Sequence, residues 1–196
     1  MPSKKLISFI YKLKEQYQNI TTDIVLAAST DLSQFLSKDY ADLALSFSNP
    51  NLNSEQYSNL QIDMFRSGLA VSQKFETADF SEPKSVNNIP LIILSRRENP
   101  EIEIFLAYMK NNYNAVPEEI IEVSSLTELF LKCSLGIGIG LISEIYKSFV
   151  PDNVNIIYPE FFPALPVIAT WKKTNNNPAL AKLIQILDNK KGSLLP

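Results

Sequence analysis

With 196 residues, 45% of them hydrophobic and 20% charged, the chain can bury the core of one large domain or of two small lobes. Its net charge of −3, with lysines spread out and paired only at Lys4-Lys5, Lys172-Lys173 and Lys190-Lys191, argues against gripping a nucleic-acid backbone, which takes clustered cations. The absence of histidine excludes a Ser-His-Asp triad, a Cys-His pair and histidine metal sites within the chain, leaving only enzymes that work through carboxylates, Lys or Tyr.

Leu6, Phe9, Ile10, Leu13 and Tyr17 trace the stripe of an amphipathic first helix, with Ser3 placed to cap it. Lysines and glutamate interrupt this stretch at once, so it is not a signal peptide. No later apolar run approaches the ~20 residues of a membrane span. The single cysteine, Cys133, excludes an internal disulfide, and such low cysteine usage suits a reducing compartment. A cytoplasmic location is expected.

Residues 23–28 form a short apolar run read as a buried strand. Ser29-Thr30-Asp31 then caps a helix carrying Leu32, Phe35 and Leu36, and residues 41–47 are a second strand. Strand, capped helix and strand make a βαβ unit, which builds parallel sheets. Residues 49–58 are a polar loop, and residues 60–71 a β-rich run containing Arg66 and Gly68. The polar segment 78–88 reads as a crossing between lobes. Residues 89–94 are a strand, with Pro90 confined to its start. Asn99 and Pro100 supply an N-cap and first position for a helix bearing Ile102, Phe105, Leu106, Met109 and Tyr113. Residues 111–119 are a turn region, followed by a strand over 120–123.

The segment 122–143 organises the chain. Ser125 and Glu128 stand at the spacing of a capping box, and Leu126, Leu129, Phe130 and Cys133 recur at helical spacing. Gly136, Gly138 and Gly140 follow, alternating with Ile137, Ile139 and Leu141. The pattern predicts a helix, a tight glycine turn and a buried extended segment. A dinucleotide-binding fingerprint needs the opposite order, strand before the glycines and helix after, and the Walker lysine is missing, so no phosphate loop is assigned. Beyond it, residues 151–166 hold four of the twelve prolines and read as loop and extended chain. Residues 167–171 are a strand. Asn177 and Pro178 start a final helix with Leu180, Leu183, Ile184 and Leu187 on one face. The chain has no internal repeat or low-complexity tract.

Leu135-Gly136-Ile137-Gly138-Ile139-Gly140-Leu141-Ile142 resembles the late glycine signature of the effector-binding domain of LysR-type transcriptional regulators, where a short capped helix also precedes the turn. Tyr40-Ala41-Asp42-Leu43-Ala44-Leu45 resembles another segment of that domain. So does the ending, a strand, two lysines, polar residues and a last helix. Two departures stand out: Ser143 replaces the family's usual proline, and the chain begins at the first helix where the family domain opens with a strand.

The resemblance implies an α/β, two-lobed periplasmic-binding-protein-like (type 2) fold, each lobe a mixed, mostly parallel sheet flanked by helices. Residues 1–80 with 164–196 would form lobe one and residues 81–163 lobe two. The chain would be a small-molecule effector-sensing domain and not an enzyme, working as a homodimer or higher homo-oligomer. DNA would be met only through a helix-turn-helix domain that this sequence lacks.

Ligands of open α/β sheets sit at the carboxyl ends of strands, beside the following helix N-termini. Three segments qualify: Ser29-Thr30, Ser46-Phe47 and Ser95-Arg96-Arg97. Hydroxyls, helix amides and arginines favour a small anion, most simply a carboxylate. Ser3 is the one residue here that would stand for the family's first binding loop. Plainer roles compete: helix caps for Ser29, Thr30 and Asp31, solvated charges for Arg96 and Arg97, and solvated surface for Glu101, Glu103, Glu118 and Glu119. No catalytic residue, metal or cofactor is assigned. The rival readings are a stand-alone solute-binding protein of the same fold, which the missing secretion signal counts against, and an enzyme acting on a small carboxylate.

Overall fold

The computed structural model describes residues 4–25, 31–47, 52–97 and 99–188. In chain order the elements are α1 (Lys4–Gln16), α2 (Leu32–Ser37), β1 (Ala44–Ser46), β2 (Tyr57–Ser72), β3 (Leu91–Leu94), α3 (Glu101–Tyr113), β4 (Ile120–Val123), α4 (Leu126–Ser134), β5 (Ile139–Ser143), β6 (Val154–Ile157), β7 (Ala164–Lys172) and α5 (Pro178–Asp188), joined by loops and short 3-10 turns. They divide into two compact units, Met1–Asp63 with Pro166–Pro196, and Met64–Leu165. The first division falls inside β2, not in the polar segment 78–88. An uninterrupted strand can serve two cores in turn, and its composition does not mark the change.

In the first unit the strand order is β1-β7-β2. β1 runs antiparallel to β7, with Leu45 opposite Ala169. Phe9 of α1 and Leu187 of α5 close a core over Leu60, Ile62 and Ala169. Phe9 and Leu13, four residues apart on one helix face, are both buried. As expected, Asn177 caps α5, its side-chain oxygen accepting from the Ala179 N–H at 2.9 Å.

The parallel βαβ unit expected over residues 23–47 is not formed among the described residues. Asp23, Ile24 and Val25 lie outside any strand, and both apolar side chains are more than half exposed. The Ile24 N–H donates to the Asp23 carboxylate at 2.8 Å, a local bond that competes with a sheet ladder. Residues 26–30 lie outside the described residues. The helix that follows is six residues long, its N-cap Asp31 makes no side-chain cap bond, and only Leu36 is buried. β1 finds its partner in the distant antiparallel β7.

The second unit holds a mixed sheet. β3 is parallel to both β4 and β5, and β2 is antiparallel to β5 on one side and β6 on the other. Alternate residues face opposite ways. Leu69, Leu91, Ile93, Ile139 and Leu141 pack with Ile102, Phe105 and Met109 of α3. On the other face Ala70, Ile92 and Ile142 pack with Leu129, Phe130 and Cys133 of α4. Asn99 does not cap α3 as expected. Its amide donates back to the Ser95 carbonyl at 2.9 Å, and Pro100 takes the N-cap position. The helix ends at Asn114 in the left-handed conformation.

Candidate functional site

The glycine segment is structural. Ser125 Oγ accepts the Glu128 N–H at 3.2 Å, and the Glu128 carboxylate accepts the Ser124 N–H at 3.2 Å, so the capping box closes one residue earlier than its spacing predicts. At the other end of α4, Gly136 N–H donates to the Cys133 carbonyl at 2.8 Å and Ile137 N–H to the Lys132 carbonyl at 3.1 Å. With Gly136 at φ +66, this is a Schellman C-cap. A side chain at Gly138 would strike the Pro90 carbonyl, and a Cβ at Gly140 would lie 2.6 Å from Leu129 Cδ2 and 2.8 Å from Cys133 Sγ. The glycines let α4 and the Pro90 backbone close on β5. Cys133 is fully buried, and burial pushes its thiol up to about 12, which makes it inert.

Chemistry gathers at the carboxyl ends of the second unit's strands. β3, β4 and β5 run parallel, so the residues that follow them share one edge of the sheet. Ser67 of β2 stands opposite Ser143 of β5. Leu94 is level with Val123, which puts Ser95 and Ser124 level one residue further on. Ile92 is level with Gly140, so three residues on, Ser95 comes level with Ser143. By extension of these registers, a serine in β2 and β5 and one just past β3 and β4 stand at one level. By alternation from Leu69 and Leu141, Ser67 and Ser143 lie on the α3 face.

These hydroxyls are not equally engaged. Ser67 Oγ donates to the Pro163 carbonyl at 2.9 Å, and Ser124 Oγ donates to Glu128 at 3.3 Å. Ser143 is 7% exposed, and its hydroxyl has no partner.

Arg96 is held twice. Its N–H donates to Glu122 at 3.0 Å and its guanidinium to Glu103 at 2.8 Å. Its buried Nε lies 3.7 Å from Glu122, too far for a hydrogen bond, and is unpartnered. Arg97 is exposed. Nearby in the fold, the Arg66 guanidinium stacks 4.2 Å over the Tyr158 ring and donates to Glu144 at 3.0 Å. The Tyr158 hydroxyl is buried without a partner, and burial, then the Glu144 charge, raises its pKa.

Glu101, expected as a solvated surface carboxylate, is partly buried at the start of α3, and desolvation raises its pKa. Burial also raises the Tyr146 hydroxyl, and the Glu101 charge adds to the shift.

Of the residues the sequence singled out, Ser95, Arg96 and Arg97 share this edge. Ser46 lies in β1 opposite Ile168, followed by Phe47, both partly buried in the first unit. Ser3, Ser29 and Thr30 lie outside the described residues. Sequence reasoning passed over Ser67, Ser124 and Tyr158, noted Arg66 only as part of a β-rich run, and noted Ser143 only as a replaced proline. A hydroxyl closing the apolar run 137–142 was the available signal. Among the described residues no cluster of His, Cys, Asp or Glu is arranged to hold a metal ion, and no helix is long and apolar enough to cross a membrane.

The architecture is similar to known structures. The effector-binding domain of QuiR in complex with shikimate matches with a TM-score of 0.79 at 15% identity, over 100% of this chain and 94% of that one. The BenM effector-binding domain with its effector benzoate matches at 0.73 and 13% identity, over 97% and 89%. Full-length CbnR complexed with its target DNA matches at 0.77 and 13% identity. There the alignment takes in 94% of this chain but 64% of CbnR, so the chain spans less than two thirds of that regulator. At such identities the likeness is one of fold, and that fold is the two-lobed α/β class expected from the sequence. No curated protein matches the chain in sequence. The profile of the LysR substrate binding domain matches residues 1–191, and the chain belongs to that family.

Proposed function

We propose that the chain is the effector-sensing domain of a LysR-type transcriptional regulator, taking a small organic anion in the cleft between its lobes and catalysing nothing. The observation that carries this is the family match across residues 1–191 joined to a polar carboxyl edge in the second unit. There the ends of parallel strands present Ser95, Arg96 and Arg97 ahead of the first turns of α3 and α4, whose dipoles favour negative charge. The relatives solved with shikimate and with benzoate both carry small carboxylates. The proposed ligand contacts are Ser3, Ser29, Thr30, Ser46, Phe47, Ser95, Arg96 and Arg97. Because Arg96 is already paired with Glu103 and Glu122, the exposed Arg97 is assigned the larger share of the charge interaction.

In this reading the chain pairs with a second copy through α1 against the partner's second lobe, and DNA is bound by a helix-turn-helix domain elsewhere in the regulator. Signalling requires the anion to bind one lobe arrangement better than another, since equal affinity for both shifts nothing. Titration calorimetry with benzoate and shikimate tests the site. Arg97→Ala and Thr30→Val should each weaken binding by roughly tenfold, as loss of a charged or hydroxyl hydrogen bond does. Unchanged affinity in both variants would remove the ligand from these loops. Sedimentation across a concentration series checks the dimer.

A further inference from the structure

Four buried side-chain polar atoms among the described residues lack a hydrogen-bond partner: Ser72 Oγ, Arg96 Nε, Ser143 Oγ and the Tyr158 hydroxyl. Buried polar groups are nearly always paired, so each exception asks for a partner. Ser72 closes β2 at the far end of the sheet. The other three gather at the carboxyl edge, and each carries an N–H or O–H to donate. Ser143 is the most enclosed of the three, and continuing the Ile92–Gly140 register brings it level with Ser95, just past the end of the neighbouring parallel strand. Adjacent strands lie about 4.8 Å apart, a spacing that suits two oxygens of one small acid. A carboxylate held by the arginines alone would leave the Ser143 hydroxyl as empty-handed as it is without ligand.

We propose that Ser143 is a specificity-determining ligand contact, which with Ser95 selects hydroxylated organic acids over their deoxy counterparts. Resting on the effector-sensing reading above, this names the class of anion. The ligand oxygen beyond the carboxylate accepts from Ser143 Oγ. Preference for the hydroxylated acid follows because its extra oxygen gives this buried donor a partner that the deoxy acid does not supply.

The test is titration calorimetry of the intact chain with two comparisons, malate against succinate and shikimate against cyclohexene carboxylate. The hydroxylated member should bind roughly tenfold tighter. Ser143→Ala should erase most of that preference and leave succinate and cyclohexene carboxylate within about twofold. Without ligand, its melting temperature should stay level or rise, since the deleted hydroxyl makes no bond in the protein. Equal binding within both comparisons, or a preference that survives Ser143→Ala, overturns the inference while leaving the anion-sensing reading standing. A lowered ligand-free melting temperature also overturns it, by showing that the hydroxyl has a protein partner. If none of the four acids binds, the carboxylate-sensing reading falls with it.

Discussion

The two ends of β5 obey opposite rules although only two residues separate Gly140 from Ser143. At the glycine end every atom is in contact: Leu129 and Cys133 of α4 press on Gly140, and the Pro90 carbonyl occupies the space of a Gly138 side chain. The backbone there is paired, with Ile139 N–H donating to Pro90 at 2.9 Å. At the serine end a buried hydroxyl is left open, and Arg96 Nε and the Tyr158 hydroxyl are likewise buried without a hydrogen-bond partner. One end therefore holds the fold together, and the other keeps unspent hydrogen-bonding capacity. Close packing and open hydrogen-bonding capacity are divided along a single strand.

Substitutions can break or sharpen that division. The largest effect is expected from Gly140→Val, which drives a branched side chain into Leu129 and Cys133 and should cost about 3 kcal/mol by overpacking. Urea unfolding followed by circular dichroism measures it. Cys133→Ser places a hydroxyl in the same contact and should cost about 2 kcal/mol.

The thiol also predicts a pH dependence. Its folded pKa, raised to about 12, lies above the ~8.5 of an unfolded thiol. Between those values the unfolded chain has lost a proton that the folded chain keeps, so stability declines as pH rises through that window. Melting curves of Cys133→Ala should show a shallower alkaline decline, while the raised Tyr146 and Tyr158 hydroxyls retain the remainder.

A smaller loss, about 1 kcal/mol, is expected for Gly136→Ala, because the left-handed backbone at that cap opposes a Cβ. The crowding there is with the end of the Lys74 side chain, which can swing away. Smallest of all is Ser143→Ala, expected within about 0.5 kcal/mol of the native chain or slightly more stable. Parity between Gly140→Val and Ser143→Ala would dissolve the contrast between the two ends.

Where local signals agreed, the sequence was readable. Over 125–142 the cap residue, the helical period and the glycines all point the same way, and α4, its turn and β5 follow. The Asn177 cap of α5 was equally plain. Over 23–47 the signals were only apolar content and hydroxyls, and strand formation there depends on a neighbour that composition does not name. Asn99 was misjudged because its amide can accept from a helix N–H or donate to a nearby carbonyl, and the bond it makes is to the Ser95 carbonyl. β6 lay hidden in a proline-rich stretch, and it exists because β2 offers it an edge.

The candidate site divides in the same way. Ser95, Arg96 and Arg97 could be named from the strand that precedes them, since a strand end and a hydroxyl are local facts. That Arg96 is neutralised by Glu103 and Glu122, and that Glu101 is drawn out of water, could not, because each needs a partner from another element. Composition and period determined a histidine-free α/β chain with a capped helix, a glycine turn and a buried strand, all set by interactions within a few residues. Only the tertiary structure decided that Ser67, Ser143, Ser95 and Ser124 stand at one level. Register between strands comes from contacts far apart in sequence, and a shift of one residue would send each serine to the other face.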